Sequence, residues 1–180
     1  MSSKLTVREL CQIALFTAVI AVCAQIAIPL PGMVPFTLQA WAVCLAGLVL
    51  GPKNGAIAAI VYVLLGAVGA PVFAQFTGGM GVILRHTGGF ILSFPLMALL
   101  AGLGERTGKL PLVFAGLAAA TLVNWLAGML YFSWVLSTNL TAAFAAAVLP
   151  FIPSAILRTA LLPFVSRGIK AALAAAKVQS

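Results

Sequence analysis

No charged side chain interrupts residues 10–52, 54–84 or 110–157. An ordinary soluble domain carries about 25% charged residues; this chain carries 7%, with 63% hydrophobic. Charge-free runs of that length cannot be solvated on a protein surface, which excludes a water-soluble fold. Each run is continuously apolar, where the strands of a membrane β-barrel would alternate apolar and polar residues in segments of about ten. An all-α, polytopic membrane protein follows. At about 20 residues per crossing, 180 residues hold roughly six helices joined by short loops. The expected organisation is one integral membrane domain, 1–180, with no separate soluble part.

Proline, glycine and charge punctuate the chain into expected helices at 8–28, 36–51, 55–73, 87–103, 111–135 and 143–170, the last tilted or broken at Pro163. Pro29, Pro31 and Pro35 block helix continuation between the first two. Gly51-Pro52-Lys53-Asn54-Gly55 reads as a tight turn. Lys4 and Arg8 ahead of an apolar run could open a signal peptide, but no clear small-residue cleavage site is followed by a soluble mature region, so the first helix is expected to stay.

The net charge of +8 is scattered one or two residues at a time, without a basic face or stacking platform, which argues against nucleic acid as the partner. It fits membrane orientation instead. With six crossings, Lys4, Arg8, Lys53, Arg106, Lys109, Arg167, Lys170 and Lys177 all fall on one side, and short cytoplasmic loops retain Lys and Arg. Both termini are therefore expected in the cytoplasm of a bacterial-type cell membrane.

Arg85 and Arg158 break that pattern. Both lie on the opposite side, Arg158 within the outer half of the last helix, where a cation is a functional candidate by default. The chain's two acids, Glu9 and Glu105, map to the cytoplasmic side, so neither Arg has an internal carboxylate partner. An anionic ligand could supply one. Two plainer readings stay open: Arg85 snorkels to lipid headgroups, and backbone carbonyls or water satisfy Arg158.

The outer segment 71–81 is apolar yet rich in glycine, a poor helix. Non-helical backbone at membrane depth is buried in protein or lines a wet cavity. We expect a re-entrant or capping outer loop there, with Gln75 and Thr77 able to hydrogen-bond a small polar ligand. His86 is a further candidate, its alternative being an interfacial loop residue.

Other motifs fail. Residues 103–110 have the outline of a phosphate loop, but Leu103 replaces its first glycine and Leu110 its Ser or Thr. One histidine and two acids make no catalytic or metal constellation. No cofactor is expected on this chain, and any ATP would be hydrolysed by another subunit. Cys11, Cys23 and Cys44 read as small packing residues, and Gly47, Gly51 and Gly55 as internal helix packing. Ala14 and Ala18 form a small-xxx-small pair, a spacing that recurs elsewhere.

Several ordered motifs run along nearly the whole chain: Pro35-Phe36-Thr37-Leu38-Gln39, Leu45-Ala46-Gly47 with Leu50-Gly51 and Gly55, and Tyr62 with Gly66 through Gly69 to Pro71-Val72-Phe73. Gly78-Gly79, Thr87-Gly88-Gly89 and Pro150-Phe151-Ile152-Pro153 continue the series. Together they resemble the BioY family, the biotin-binding S components of energy-coupling factor (ECF) transporters. The resemblance implies a six-helix bundle with a cavity open to the outer side. It also implies assembly with a transmembrane scaffold and two ATPase subunits, and gives Ala14 and Ala18 the role of meeting that scaffold. Biotin is the expected ligand.

The departures alter the site's chemistry. Arg85-His86-Thr87-Gly88-Gly89-Phe90 stands where the family commonly has Gly-Pro-Thr-Gly-Gly-Tyr. Ala155 and Arg158 occupy positions where an Asp and a Lys are usual. Loss of the Asp removes an acceptor for a ureido N–H, whereas Arg158 keeps the cation. The substrate-binding set expected is Arg158, Gln75, Thr77, Arg85, His86, Thr87 and Ala155. The rival readings are the same architecture for another small apolar carboxylate, such as lipoate or dethiobiotin, and a non-transport membrane assembly protein.

Overall fold

A computed structural model describes residues 5–28 and 34–178, without the side chains of 176–178. Lys4, the side chain of Lys177 and the prolines at 29 and 31 thus lie outside what is described. Helix α1 (Val7–Gln25) is opened by a capping box: Glu9 N–H donates to Thr6 Oγ1 at 3.2 Å, and the Thr6 N–H donates back to Glu9 Oε2 at 2.8 Å. A two-stranded antiparallel ribbon follows, β1 (Ala27–Ile28) against β2 (Phe36–Thr37).

Helix α2 (Gln39–Ala67) is interrupted at Gly51, whose φ of 83° and ψ of 173° are not helical. In an unbroken helix Gly47 and Gly55 would be about 12 Å apart along the axis. Here a Cβ on Gly55 would stand 2.6 Å from Gly47 Cα. The chain therefore reverses at Gly51, and α2 is a helical hairpin with arms α2a before the glycine and α2b after it. Pro52 opens the second arm, where a missing N–H costs nothing. The expected turn over 51–55 thus shrinks to a single left-handed residue. Gly47 and Gly55 serve close packing; Gly51 serves the reversal.

The second arm ends earlier than the expected 73, because Gly69 (φ 106°) and Pro71 stop it. A loop containing a 3-10 turn (Ala74–Phe76) and the short helix α3 (Met80–Ile83) leads to α4 (Gly88–Glu105). Helix α5 (Leu110–Leu136) follows. The expected last helix is two: α6 (Leu140–Ala147) and α7 (Ile152–Val178), separated by a 3-10 turn at Leu149–Phe151. Pro163 sits inside α7, so the break expected there falls instead at Val148–Phe151, with Pro150 in the 3-10 turn and Pro153 in the first turn of α7. Among the described residues, five helical spans are long and apolar enough to cross a membrane. One of them is the hairpin, giving six crossings.

Small residues set the packing. Gly102 backs onto Pro52 at the hairpin tip, and a Cβ on Gly116 would meet Gly104 Cα at 2.8 Å, so α4 is sandwiched between α2 and α5. Tyr62, Phe73, Phe94 and Met97 fill the centre. At one end of the bundle, Asn54 Nδ2 donates to Glu9 Oε1 (3.3 Å), and Lys170 Nζ pairs with Glu105 Oε1 (2.8 Å). The remains of the phosphate-loop outline form only the α4–α5 connection, with the Thr107 hydroxyl donating to Gly104 O.

Candidate functional site

A cavity of about 250 Å³ opens at the opposite end of the bundle. That is just under the roughly 300–1,000 Å³ of typical small-molecule pockets. Its walls are aromatic: Trp41, Phe90, Phe94, Trp125 and the stacked pair Phe36 and Phe151, with ring centroids 6.5 Å apart. Trp41 Nε1 donates to Ser154 Oγ at 3.1 Å, fixing α2a against α7. All the substrate-binding candidates, Arg158, Gln75, Thr77, Arg85, His86, Thr87 and Ala155, line this cavity.

Arg158 is 4% exposed. Its Nη2 donates to Thr121 Oγ1 at 2.7 Å, and the Thr121 hydroxyl is turned to receive it by donating in turn to Leu117 O (2.8 Å). Its Nε is buried without a hydrogen-bond partner among the described residues. Neither acid reaches it: Glu9 is held by Thr6 and Asn54, and Glu105 by Lys170. A guanidinium carries five donors, and a buried donor left unmade costs about 1–3 kcal/mol. The site therefore holds a cation in need of acceptors.

Arg85 is exposed and lies between α3 and α4 at the cavity. His86 is half-buried, its ring edge-on to Phe132 at 5.6 Å. Thr87 is the N-cap residue of α4, yet its side chain makes no capping bond. Ala155, 7% exposed, forms part of the wall one helical turn before Arg158.

The loop carrying Gln75 and Thr77 is a tight hairpin. Phe73 N–H donates to Thr77 O (2.9 Å), and the Thr77 hydroxyl donates to Ala74 O (2.8 Å). Gln75 and Phe76 are both left-handed, with φ of 59° and 54°, a conformation costing about 1–2 kcal/mol per residue. Surrounding contacts offset that cost. Phe73 is buried on the bare Gly66, edge-on to Tyr62 at 5.6 Å. The Tyr62 hydroxyl donates to Val72 O (3.1 Å), and Gly79 N–H to Gly66 O (2.6 Å). The loop caps the cavity.

Sequence reasoning overlooked Asn124, Gln39 and Thr121. Asn124 donates from Nδ2 to Ser93 Oγ (2.7 Å) and Phe90 O (3.1 Å), leaving its carbonyl oxygen to offer to the cavity it lines. Gln39 takes the Thr37 hydroxyl at Oε1 (2.8 Å) and bonds the Tyr62 hydroxyl through Nε2 (2.6 Å). A lone polar residue in an apolar span was the available signal for each.

The sequence profile of the BioY family matches residues 1–175. The chain belongs to the BioY family. A probable biotin transporter BioY of Pyrococcus horikoshii is 42% identical over 154 residues, which are 85% of this chain and 90% of that protein. The biotin transporter BioY of Rhodobacter capsulatus is 35% identical, covering 90% and 93%. The fold superposes with a TM-score of 0.80 on the crystal structure at 2.1 Å of the S-component for biotin from an ECF-type ABC transporter. There the identity is 25%, over 93% of this chain and 95% of that one. BioY membership thus joins the helical bundle to the cavity just described.

Proposed function

We propose that this chain is the substrate-binding membrane subunit of an ATP-driven importer and that it captures biotin from the outer side of a cytoplasmic membrane. The observation that carries this reading is Arg158, a buried cation with one hydrogen bond and a bare Nε at an aromatic-walled cavity, in a family whose named relatives are biotin transporters. Arg158 pairs the carboxylate or polarises the ureido oxygen of the ligand. Gln75, Thr77 and Thr87 add hydrogen bonds, Arg85 and His86 contribute at the rim, and Ala155 leaves room beside the guanidinium. Aromatic walls hold the rings and chain.

Residues 1–180 act as one unit beside a transmembrane scaffold and two ATPase subunits, which hydrolyse the ATP. Ala14 and Ala18 are exposed on α1, opposite the buried Ile13, Thr17 and Ile20. That bare strip of small residues suits close approach of the scaffold's helices. Clustering of Arg106, Lys109, Lys170 and the hairpin-tip Lys53 at the end away from the cavity supports cytoplasmic termini.

Calorimetric titration of the purified chain with biotin tests the reading. Saturable binding that lipoate and dethiobiotin displace only weakly is expected. A chain that binds none of the three, and carries no small molecule in native mass spectrometry, is not a capture subunit. Uptake into proteoliposomes should need the scaffold and ATPase subunits.

A further inference from the structure

Gln25, the last residue of α1, is half-buried and uses both ends of its amide. Nε2 donates to Ala21 O at 3.0 Å within its own helix, and also to Val72 O (3.3 Å) and Phe73 O (3.1 Å), 47 and 48 residues away. Oε1 accepts the Phe76 N–H at 2.8 Å, across 51 residues. The first of these bonds is an ordinary helix-end contact. The other three reach only backbone of the capping loop, and the shortest falls on the second of its two left-handed residues.

A left-handed pair of side-chain-bearing residues persists only where its surroundings hold it. The Phe76 N–H is the donor displayed once Gln75 has turned left-handed, so a fixed acceptor there favours that turn over an extended alternative. With the turn made, Gln75 and Thr77 line the cavity while the Phe76 ring is 73% exposed.

We propose that Gln25 is a positioning residue for capture: it fastens the 72–77 loop to α1 and so presents Gln75 and Thr77 to the ligand. The assignment rests on the biotin-binding reading above only for its affinity arm. It also ties the loop to the helix whose exposed side carries Ala14 and Ala18.

Hydrogen exchange on the full chain in nanodiscs, without ligand, reads the fastening itself. Gln25→Ala should speed exchange at the Phe76 amide about tenfold relative to amides of α4; unchanged exchange overturns the proposal. Gln25→Glu keeps the acceptor for Phe76 but sets a second oxygen against the Val72 and Phe73 carbonyls, so it should speed exchange as Ala does. Wild-type protection in that variant would show that the amide's donors fasten nothing and would overturn the proposal.

Biotin titration of a double-mutant cycle then separates positioning from general destabilisation. Gln25→Ala should weaken binding about tenfold, chiefly through faster dissociation, and the Gln25→Ala/Gln75→Ala pair should lose far less than the product of the single losses. Independent losses would overturn the role. A wild-type chain that binds no biotin refutes the functional reading instead, and leaves the exchange result to stand or fall alone.

Discussion

The two ends of the bundle treat charge differently. At the end bearing the hairpin tip, each carboxylate has a donor from another element: Glu105 takes Lys170 at Oε1, although its Oε2 is buried without a partner among the described residues, and Glu9 takes Asn54 together with the N-cap of α1. At the cavity end, Arg158 is buried deeper than either acid yet keeps a donor unused. The first arrangement holds helices together. The second stores an unmet demand that a ligand can meet, at the expense of stability. Affinity and stability should therefore separate by end.

The sharpest break of this contrast is Arg158→Met, which keeps volume and removes the cation. A charge-assisted hydrogen bond is worth about 1.5–3 kcal/mol, so biotin should bind roughly ten- to a hundredfold more weakly. The ligand-free protein should melt no lower than wild type, since an unpaired buried charge has gone. Equal affinity in a titration would remove Arg158 from the site.

Thr121→Val takes away the acceptor Arg158 does have. Melting of the ligand-free protein should reveal a loss of about 1–3 kcal/mol, and saturating biotin should narrow the gap. At the other end, Thr6→Ala opens the capping box and should cost about 1 kcal/mol of stability with biotin affinity intact. Smallest is Glu105→Gln, where a half-exposed lysine partner limits the loss to under about 1 kcal/mol. A change in affinity from either of these last two would dissolve the division between ends.

The number of crossings was legible because charge-free length is a one-dimensional property. The grouping of Lys53, Arg106 and Lys170 at one end was legible for the same reason. Arg158 could be singled out as a cation without a carboxylate, since the chain holds only two acids. Its contact with Thr121, and that of Trp41 with Ser154, could not. They join residues 37 and 113 positions apart, and their meeting depends on how neighbouring helices are rotated, which the small residues of α4 decide. Pro163 misled because a helix can run through a proline at the cost of one bond, the one to the Thr159 carbonyl. The chain departs from the α-helix instead at Leu149–Phe151, where Pro150 stands in a 3-10 turn.

The early reversal at Gly51 has one last effect. The arm over 39–50 rises only about 18 Å, against a hydrocarbon layer of about 30 Å. The ribbon residues Phe36 and Thr37 and the first turn of the arm, Gln39 to Trp41, line the cavity. A short first arm thus leaves room for the cavity at the end where it begins, away from the glycine that ends it.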